Sequence, residues 1–285
     1  MRRLPLSRLS AIAVIILSAL TAAAAIPLDR AEAATGGHRT DALKLAGPTA
    51  AAELAVLSDD AAMSPPVREP DSDSAVVASA DAALRALASR VKTVSHSAAL
   101  RTAFQAYYNY RLTNPEAVRK PYLYYVDMGL DNRTPRGYVF DMDRLTLVDG
   151  PFAVAHGRGS ARTRDAVPTS FSNRPGSKAT SLGLYLAQET YSFNGKLAGR
   201  RYSSVGLRMR GESGQFNSAA RGRGIVAHGA PYVSRGQAGR SEGCPAMEMA
   251  RAKRILPMIA NGGVVFIYSP NDRNWLRNDP WLLDG

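Results

Sequence analysis

Residues 224–247 read GIVAHGAPYVSRGQAGRSEGCPAM, and the fold turns on how this stretch is parsed. It opens as a short strand, 224–228, that ends in His228-Gly229. A glycine-rich loop follows and closes on Ser241-Glu242-Gly243-Cys244-Pro245, residue types of turns and helix starts rather than of a core. Helical spacing takes over at 246–259 through Ala252, Ile255, Leu256 and Ile259, with Pro257 expected to kink or shorten the helix. Residues 263–269 are a continuous apolar run, the pattern of a buried strand.

Working upstream, the strand pattern persists. Residues 122–128, 137–142 and 151–156 are short and rich in aromatic and β-branched side chains. Leu182, Leu184 and Leu186 alternate with Gly183, Tyr185 and Ala187, and a further strand is expected at 202–210. Before residue 113 the period changes. Leu84, Leu87, Val91 and Val94 repeat at three and four, and Leu100, Phe104, Tyr107 and Arg111 resume after a break near Ser95-His96-Ser97. The expectation is a mainly-β sandwich or barrel, residues 113–285, with one helix after Cys244 and a helical segment at 80–112 in front.

The N-terminus has the layout of an export signal over residues 1–33. Arg2, Arg3 and Arg8 precede an uncharged stretch from 9 to 26, and Ala31-Glu32-Ala33 is a cleavage-type site, with Ala23-Ala24-Ala25 a second candidate. A retained membrane anchor is the alternative, and an uncleaved signal is the one route to a membrane. Residues 34–79, rich in Ala, Ser, Pro and Asp, read as a low-complexity linker.

The 285 residues carry a formal charge of +12 and a pI near 10.1. Removing residues 1–33 leaves 32 basic against 22 acidic residues, or +10. An exported basic protein meets anionic envelope polymers first, and export together with the lack of a basic helix speaks against nucleic acid. The single cysteine rules out an intramolecular disulfide and a zinc site built on several cysteines. No HExxH, Walker A or GxGxxG pattern occurs, and no metal or organic cofactor is expected.

A lone cysteine in an exported chain is either a small buried hydrophobe or a reactive thiol. With Pro245 as the first helical residue, Cys244 would sit at the positive end of a helix, which lowers a thiol pKa. The N–H groups of Gly243 and Cys244 would then be available as an oxyanion hole. His228, fifteen residues upstream of the intervening loop's end, is the natural base for that nucleophile. Its alternative is a structural histidine.

His228-Gly229, a loop, then Ser241-x-Gly243-Cys244 resembles the active-site signature of YkuD-type L,D-transpeptidases. The likeness is closer to the murein L,D-transpeptidase catalytic domain subgroup. There Val154-Ala155-His156-Gly157-Arg158-Gly159-Ser160, Thr169-Ser170-Phe171-Ser172-Asn173-Arg174-Pro175-Gly176-Ser177, Ser181-Leu182-Gly183 and Glu189-Thr190-Tyr191 also match. It extends over about residues 98–270 and implies an exported β-sandwich enzyme of the periplasm or cell wall that remodels peptidoglycan; a monomer is expected. It implies Cys244 as nucleophile, His228 as base, the Gly229 carbonyl as the group that orients the imidazole, Gly243 and Cys244 as oxyanion donors, and Ser241 as the residue shaping the turn. The substrates implied are peptidoglycan stem peptides, joined through a thioester to a second stem, or trimmed by water in an L,D-carboxypeptidase.

Two positions depart from the wider YkuD pattern. Glu242 stands where a second histidine is usual, and Pro245-Ala246-Met247 stands where an arginine is usual. Arg240 either replaces that cation or is a surface residue. His156 either lines the substrate cleft or is structural. Arg174, in the turn 173–176, either grips a carboxylate or is simply exposed. A non-catalytic peptidoglycan-binding module is the competing class, resting on the charge and on Tyr107, Tyr108, Tyr110, Tyr122, Tyr124 and Tyr125, which otherwise belong to the core.

Overall fold

The computed structural model describes residues 70–283. The proposed export signal and residues 34–69 of the proposed linker lie outside them. Helix α1 spans Pro70–Leu87, and α2 spans Ala99–Thr113. Helix α1 therefore begins ten residues before the expected start at 80, inside the stretch read as linker. Its buried face is Val76, Ala80, Ala83 and Leu87, at spacings of four, three and four. Two of those four are alanines, so the stripe is real in packing but faint in sequence. Leu84, Val91 and Val94 pack at its margin. In α2 the expected stripe of Leu100, Phe104 and Tyr107 is buried.

The strands are β1 (Tyr122–Asp127), β2 (Gly137–Asp141), β3 (Thr146–Phe152), β4 (His156–Gly157), β5 (Gly183–Leu197), β6 (Arg200–Gly211), β7 (Val226–Gly229), β8 (Val233–Ser234), β9 (Gln237–Ala238), β10 (Arg240–Ser241), β11 (Ala246–Met247) and β12 (Val264–Tyr268). Helix α3 (Met249–Ile259) lies between β11 and β12, and α4 (Arg273–Asn278) follows β12. Eight strands form one mixed sheet in the order β11-β7-β6-β5-β12-β1-β2-β3, while β4–β10 and β8–β9 are separate pairs. The described residues are thus mostly β, with two helices before the sheet and two after the cysteine, α4 in addition to the one expected.

The centre of the sheet is buried on both faces. Strands β1, β2 and β12 have almost no solvent contact, which explains the unbroken apolar runs at 122–126 and 264–268. Tyr107, Tyr110, Tyr124 and Tyr125 are wholly interior, and Tyr108 and Tyr122 pack against the same core. These aromatics are core residues and form no exposed platform. Strand β3 starts five residues before the expected 151. Its turn is set by Asp141, whose Oδ1 accepts from the N–H groups of Asp143 and Arg144 at 3.1 and 2.9 Å. Helix α4 is capped by Asp272, which accepts from the Trp275 N–H at 2.9 Å. Among the described residues no helix is long and apolar enough to cross a membrane.

Candidate active site

Strand β7 places His228 at its penultimate position, where it is 2% exposed. Its Nδ1 lies 3.0 Å from the carbonyl oxygen of Gly229. A carbonyl only accepts, so Nδ1 carries the proton and Nε2 is left as the basic nitrogen. Burial drives the imidazole pKa down to about 4, against a smaller upward pull from the Gly229 carbonyl. The ring is therefore neutral at physiological pH. Phe193 of β5 stacks on it with centroids 3.9 Å apart and planes 18° from parallel.

That stack depends on β6, the strand between. Gly206 of β6 stands opposite both Tyr191 and His228. A Cβ at residue 206 would lie 2.6 Å from the Tyr191 ring and 3.0 Å from Phe193 Cβ. The missing side chain is the gap through which the Phe193 ring reaches the imidazole.

Cys244 sits in the connection between β10 and β11, 9% exposed. Strand β11 runs parallel to β7 with Ala246 opposite His228. The thiol, two residues earlier, reaches the start of β7. It donates to the Gly224 carbonyl at 3.8 Å and lies against the Val226 N–H. Val226 and His228 are two apart on one strand, so their side chains share a face. The structure thus places Cys244 beside the start of the strand that carries His228, at the β11 side of the sheet.

The route differs from the sequence expectation. Residues 246–247 are a strand, and α3 begins only at Met249 after Glu248. Cys244 is not at a helix N-terminus, and Pro245 is not its first residue. The thiol pKa is raised, not lowered: burial dominates, opposed by the Val226 N–H and by the charge of Arg223. The resting pair is a thiol and a neutral imidazole.

The turn at 241–244 is built by Ser241, which is buried. Its Oγ donates to the Cys244 carbonyl at 2.7 Å and accepts from the Gly243 N–H at 3.1 Å. Ser241 shapes the turn, as the resemblance implied, and its hydroxyl is committed there rather than to a ligand. The Gly243 N–H is likewise engaged, which removes one of the two expected oxyanion donors in this arrangement. Gly243 has φ +132°, and a Cβ there would meet the Ile225 side chain at 2.8 Å and the Ala179 carbonyl oxygen at 3.0 Å. Only glycine fits. Glu242 points outward and pairs with Arg158 and with Lys178, the latter at 3.5 Å.

The remaining expected residues separate. His156 stands opposite Arg240 in the β4–β10 pair, one residue from Ser241, but it is wholly buried and presents no surface to a substrate. It repeats the His228 arrangement, with Nδ1 2.8 Å from the Gly157 carbonyl and a pKa near 4, lowered first by burial. Arg240 is exposed on β10, its Nη1 3.5 Å from the Ala161 carbonyl. Arg174 is exposed at the tip of the loop 172–181. Tyr185, Tyr191, Tyr202 and Tyr232 have pKa values raised first by burial, and each also couples to Cys244. Sequence reasoning passed over Tyr202, Tyr232 and Phe193, since aromatic residues in a strand pattern read first as packing. Among the described residues no group of three or more His, Cys, Asp or Glu side chains is placed to hold a metal ion.

A buried imidazole oriented by a backbone carbonyl and a cysteine on a glycine turn are residue types that acyl transfer uses. Residues 92–268 match the L,D-transpeptidase catalytic domain family YkuD_2, and the chain belongs to that family. Among solved structures it is similar to an L,D-transpeptidase from Mycobacterium smegmatis at 15% identity, covering 52% of this chain and 58% of that one, with a TM-score of 0.31. An L,D-transpeptidase from Mycobacterium tuberculosis H37Rv shows 15% identity, coverage of 52% and 57%, and a TM-score of 0.29. One from Stackebrandtia nassauensis shows 13% identity, coverage of 61% and 68%, and a TM-score of 0.34. The chain spans less than three-fifths of the length of the two mycobacterial structures. Likeness at this level bears on no residue's role. No curated protein matches the chain.

Proposed function

We propose that this chain is an exported, cysteine-dependent L,D-transpeptidase that acts on peptidoglycan stem peptides in the periplasm or cell wall. The observation that carries the reading is His228: a buried imidazole whose Nδ1–H is taken by the Gly229 carbonyl, leaving Nε2 as a base on the strand that Cys244 adjoins. Membership of the L,D-transpeptidase catalytic domain family supports the reaction class.

On this reading the Cys244 Sγ–H proton passes to His228 Nε2 as sulfur attacks the carbonyl of an L-centre joined to D-alanine. The Cys244 N–H faces the oxyanion. The C–N bond breaks, the amine of D-alanine leaves with the proton from His228, and a thioester remains. An amine of a second stem then attacks the thioester, His228 takes up its proton, and the thiol is regenerated. Because both resting groups are neutral, proton transfer accompanies attack rather than preceding it. Water as acceptor gives the L,D-carboxypeptidase variant of the same chemistry.

The test compares the protein with Cys244→Ala on purified tetrapeptide muropeptides, read by mass spectrometry. A Cys244-dependent acyl adduct with dimers linked through third residues is the expected result, and the variant should lose at least about 10³-fold in rate. Loss of D-alanine without dimers identifies the carboxypeptidase. Neither adduct nor product from the folded protein overturns the reading and leaves the binding module.

A further inference from the structure

Arg223 stands just before β7, between the Cys244 turn and the loop 172–181. Its Nη1 donates to the Ser172 carbonyl at 2.7 Å and the Ser181 hydroxyl at 2.5 Å. Its Nη2 donates to the Ser177 hydroxyl at 3.0 Å and the Ala179 carbonyl at 2.9 Å. All four acceptors are neutral, and all four belong to one loop. That loop is in contact with the Cys244 turn, because the Ala179 carbonyl oxygen lies 3.0 Å from where a Cβ on Gly243 would stand. On its other side Arg223 precedes Gly224, whose carbonyl accepts the thiol. The guanidinium is thus braced between two segments that touch residues 243 and 244.

The titratable groups that couple to the thiol from the surrounding elements are Tyr185 and Tyr191 of β5, Tyr202 of β6, Tyr232 after β7, and Arg223, with His228 on the neighbouring β7. The phenols are held above their ordinary value by burial, and the imidazole is neutral. Arg223 is the cation among them. Neighbouring Glu242 already has Arg158 and Lys178 as partners.

We propose that Arg223 is a positioning residue for the Cys244 nucleophile: it pins the loop 172–181 against Gly243 and supplies the positive charge that the sulfur faces when it becomes a thiolate. The inference rests on Cys244 being the nucleophile of the proposed reaction. It gives the site, from a side chain, the electrostatic support that a helix N-terminus at Cys244 would otherwise have given.

Alkylation reads the thiolate directly and needs no turnover, so it stands apart from whether the protein transfers stem peptides. The full chain is alkylated with neutral iodoacetamide and with anionic iodoacetate from about pH 6 to about pH 10, and Cys244 is followed by intact mass. Arg223→Gln should lower the iodoacetamide rate about fivefold at neutral pH, its profile moving to higher pH. Arg223→Lys keeps the charge and should stay within about twofold of the parent. Arg221→Gln removes an equal charge two residues away, where the guanidinium pairs with Gln188 and Glu189, and should leave the profile unchanged. The parent should also prefer iodoacetate over iodoacetamide more than N-acetylcysteine does, because a cation faces the sulfur. A folded Arg223→Gln with the parent profile overturns the proposal. So does an Arg223→Lys that falls as far as Arg223→Gln, since bracing alone would then explain the effect. If Arg223→Gln does not fold, the reagent preference decides, and a ratio no higher than that of N-acetylcysteine overturns it.

Discussion

Burial, more than any charge, sets the state of His228, and the Phe193 ring is the aromatic cover stacked on it. Among the described residues its Nδ1 partner is the Gly229 carbonyl, and its pKa of about 4 comes first from burial, to which the Phe193 and Tyr232 rings contribute. Phe193→Ala removes that cover and admits water to the ring. The His228 titration should then rise from about 4 toward the ordinary value of about 6.5, followed by NMR of its ring Cε1–H. The acid limb of activity should move up with it, because the protonated ring has no lone pair to accept the thiol proton. An unchanged His228 titration in the variant would show that strand β6 and the β7 backbone alone keep the ring dry. At this scale the sequence singles out Cys244, His228, Gly229 and Gly243 as candidates, since few residue types do covalent chemistry and only four histidines and one cysteine occur. It was silent about Arg223. One arginine among 36 basic residues has no local signature, and its four acceptors lie 42 to 51 positions upstream.

Strand β6 supplies, at Gly206, the gap that the β5 rings Tyr191 and Phe193 fill beside His228. Gly206→Val suits a strand by intrinsic preference, so the hairpin should survive. The new side chain would nevertheless occupy the space between Tyr191 and Phe193 and push both rings away from His228. Activity should fall at least about tenfold, with secondary structure preserved by circular dichroism and with a His228 titration raised as in Phe193→Ala. Parent-like activity in this variant would mean that the rings do not set the imidazole. The longer strands were readable because burial imposes apolar runs or alternation over five residues or more. The two-residue strands β4, β10 and β11 were not. Each exists only through a partner distant in sequence: β11 through β7, and β10 through β4. That is also why the helix was expected at 246. Ala246 and Met247 suit a helix locally, and the pairing with His228 and Gly229 overrides them. Helix α1 was placed too late for a related reason, because the alanines on its buried face carry little hydrophobic signal.

Across the whole molecule the two buried histidines make stability depend on pH in one direction. His228 and His156 are both held near pKa 4 in the folded chain, first by burial. In the unfolded chain each titrates near about 6.5. Above that value both states are neutral and neither histidine contributes a pH dependence. Between about 6.5 and 4 the unfolded chain binds more protons than the folded one, so stability falls as the pH falls. Below about 4 both states are protonated and the loss is complete, amounting to about 3 kcal/mol for each histidine. Two carboxyls work the other way: Glu212 and Asp279 have raised pKa values from burial, and the folded chain holds their protons to higher pH. The histidine part is isolated by difference. His156→Gln loses the Nδ1–H bond to Gly157 and should be less stable than the parent at pH 7. Its urea midpoint should, however, fall less steeply toward about pH 4.5, with roughly half of the histidine-linked loss removed. The comparison needs only denaturation curves of the parent and the variant at the two pH values. Equal steepness would mean that His156 is solvated when charged, and that the histidine-linked acid sensitivity belongs to His228.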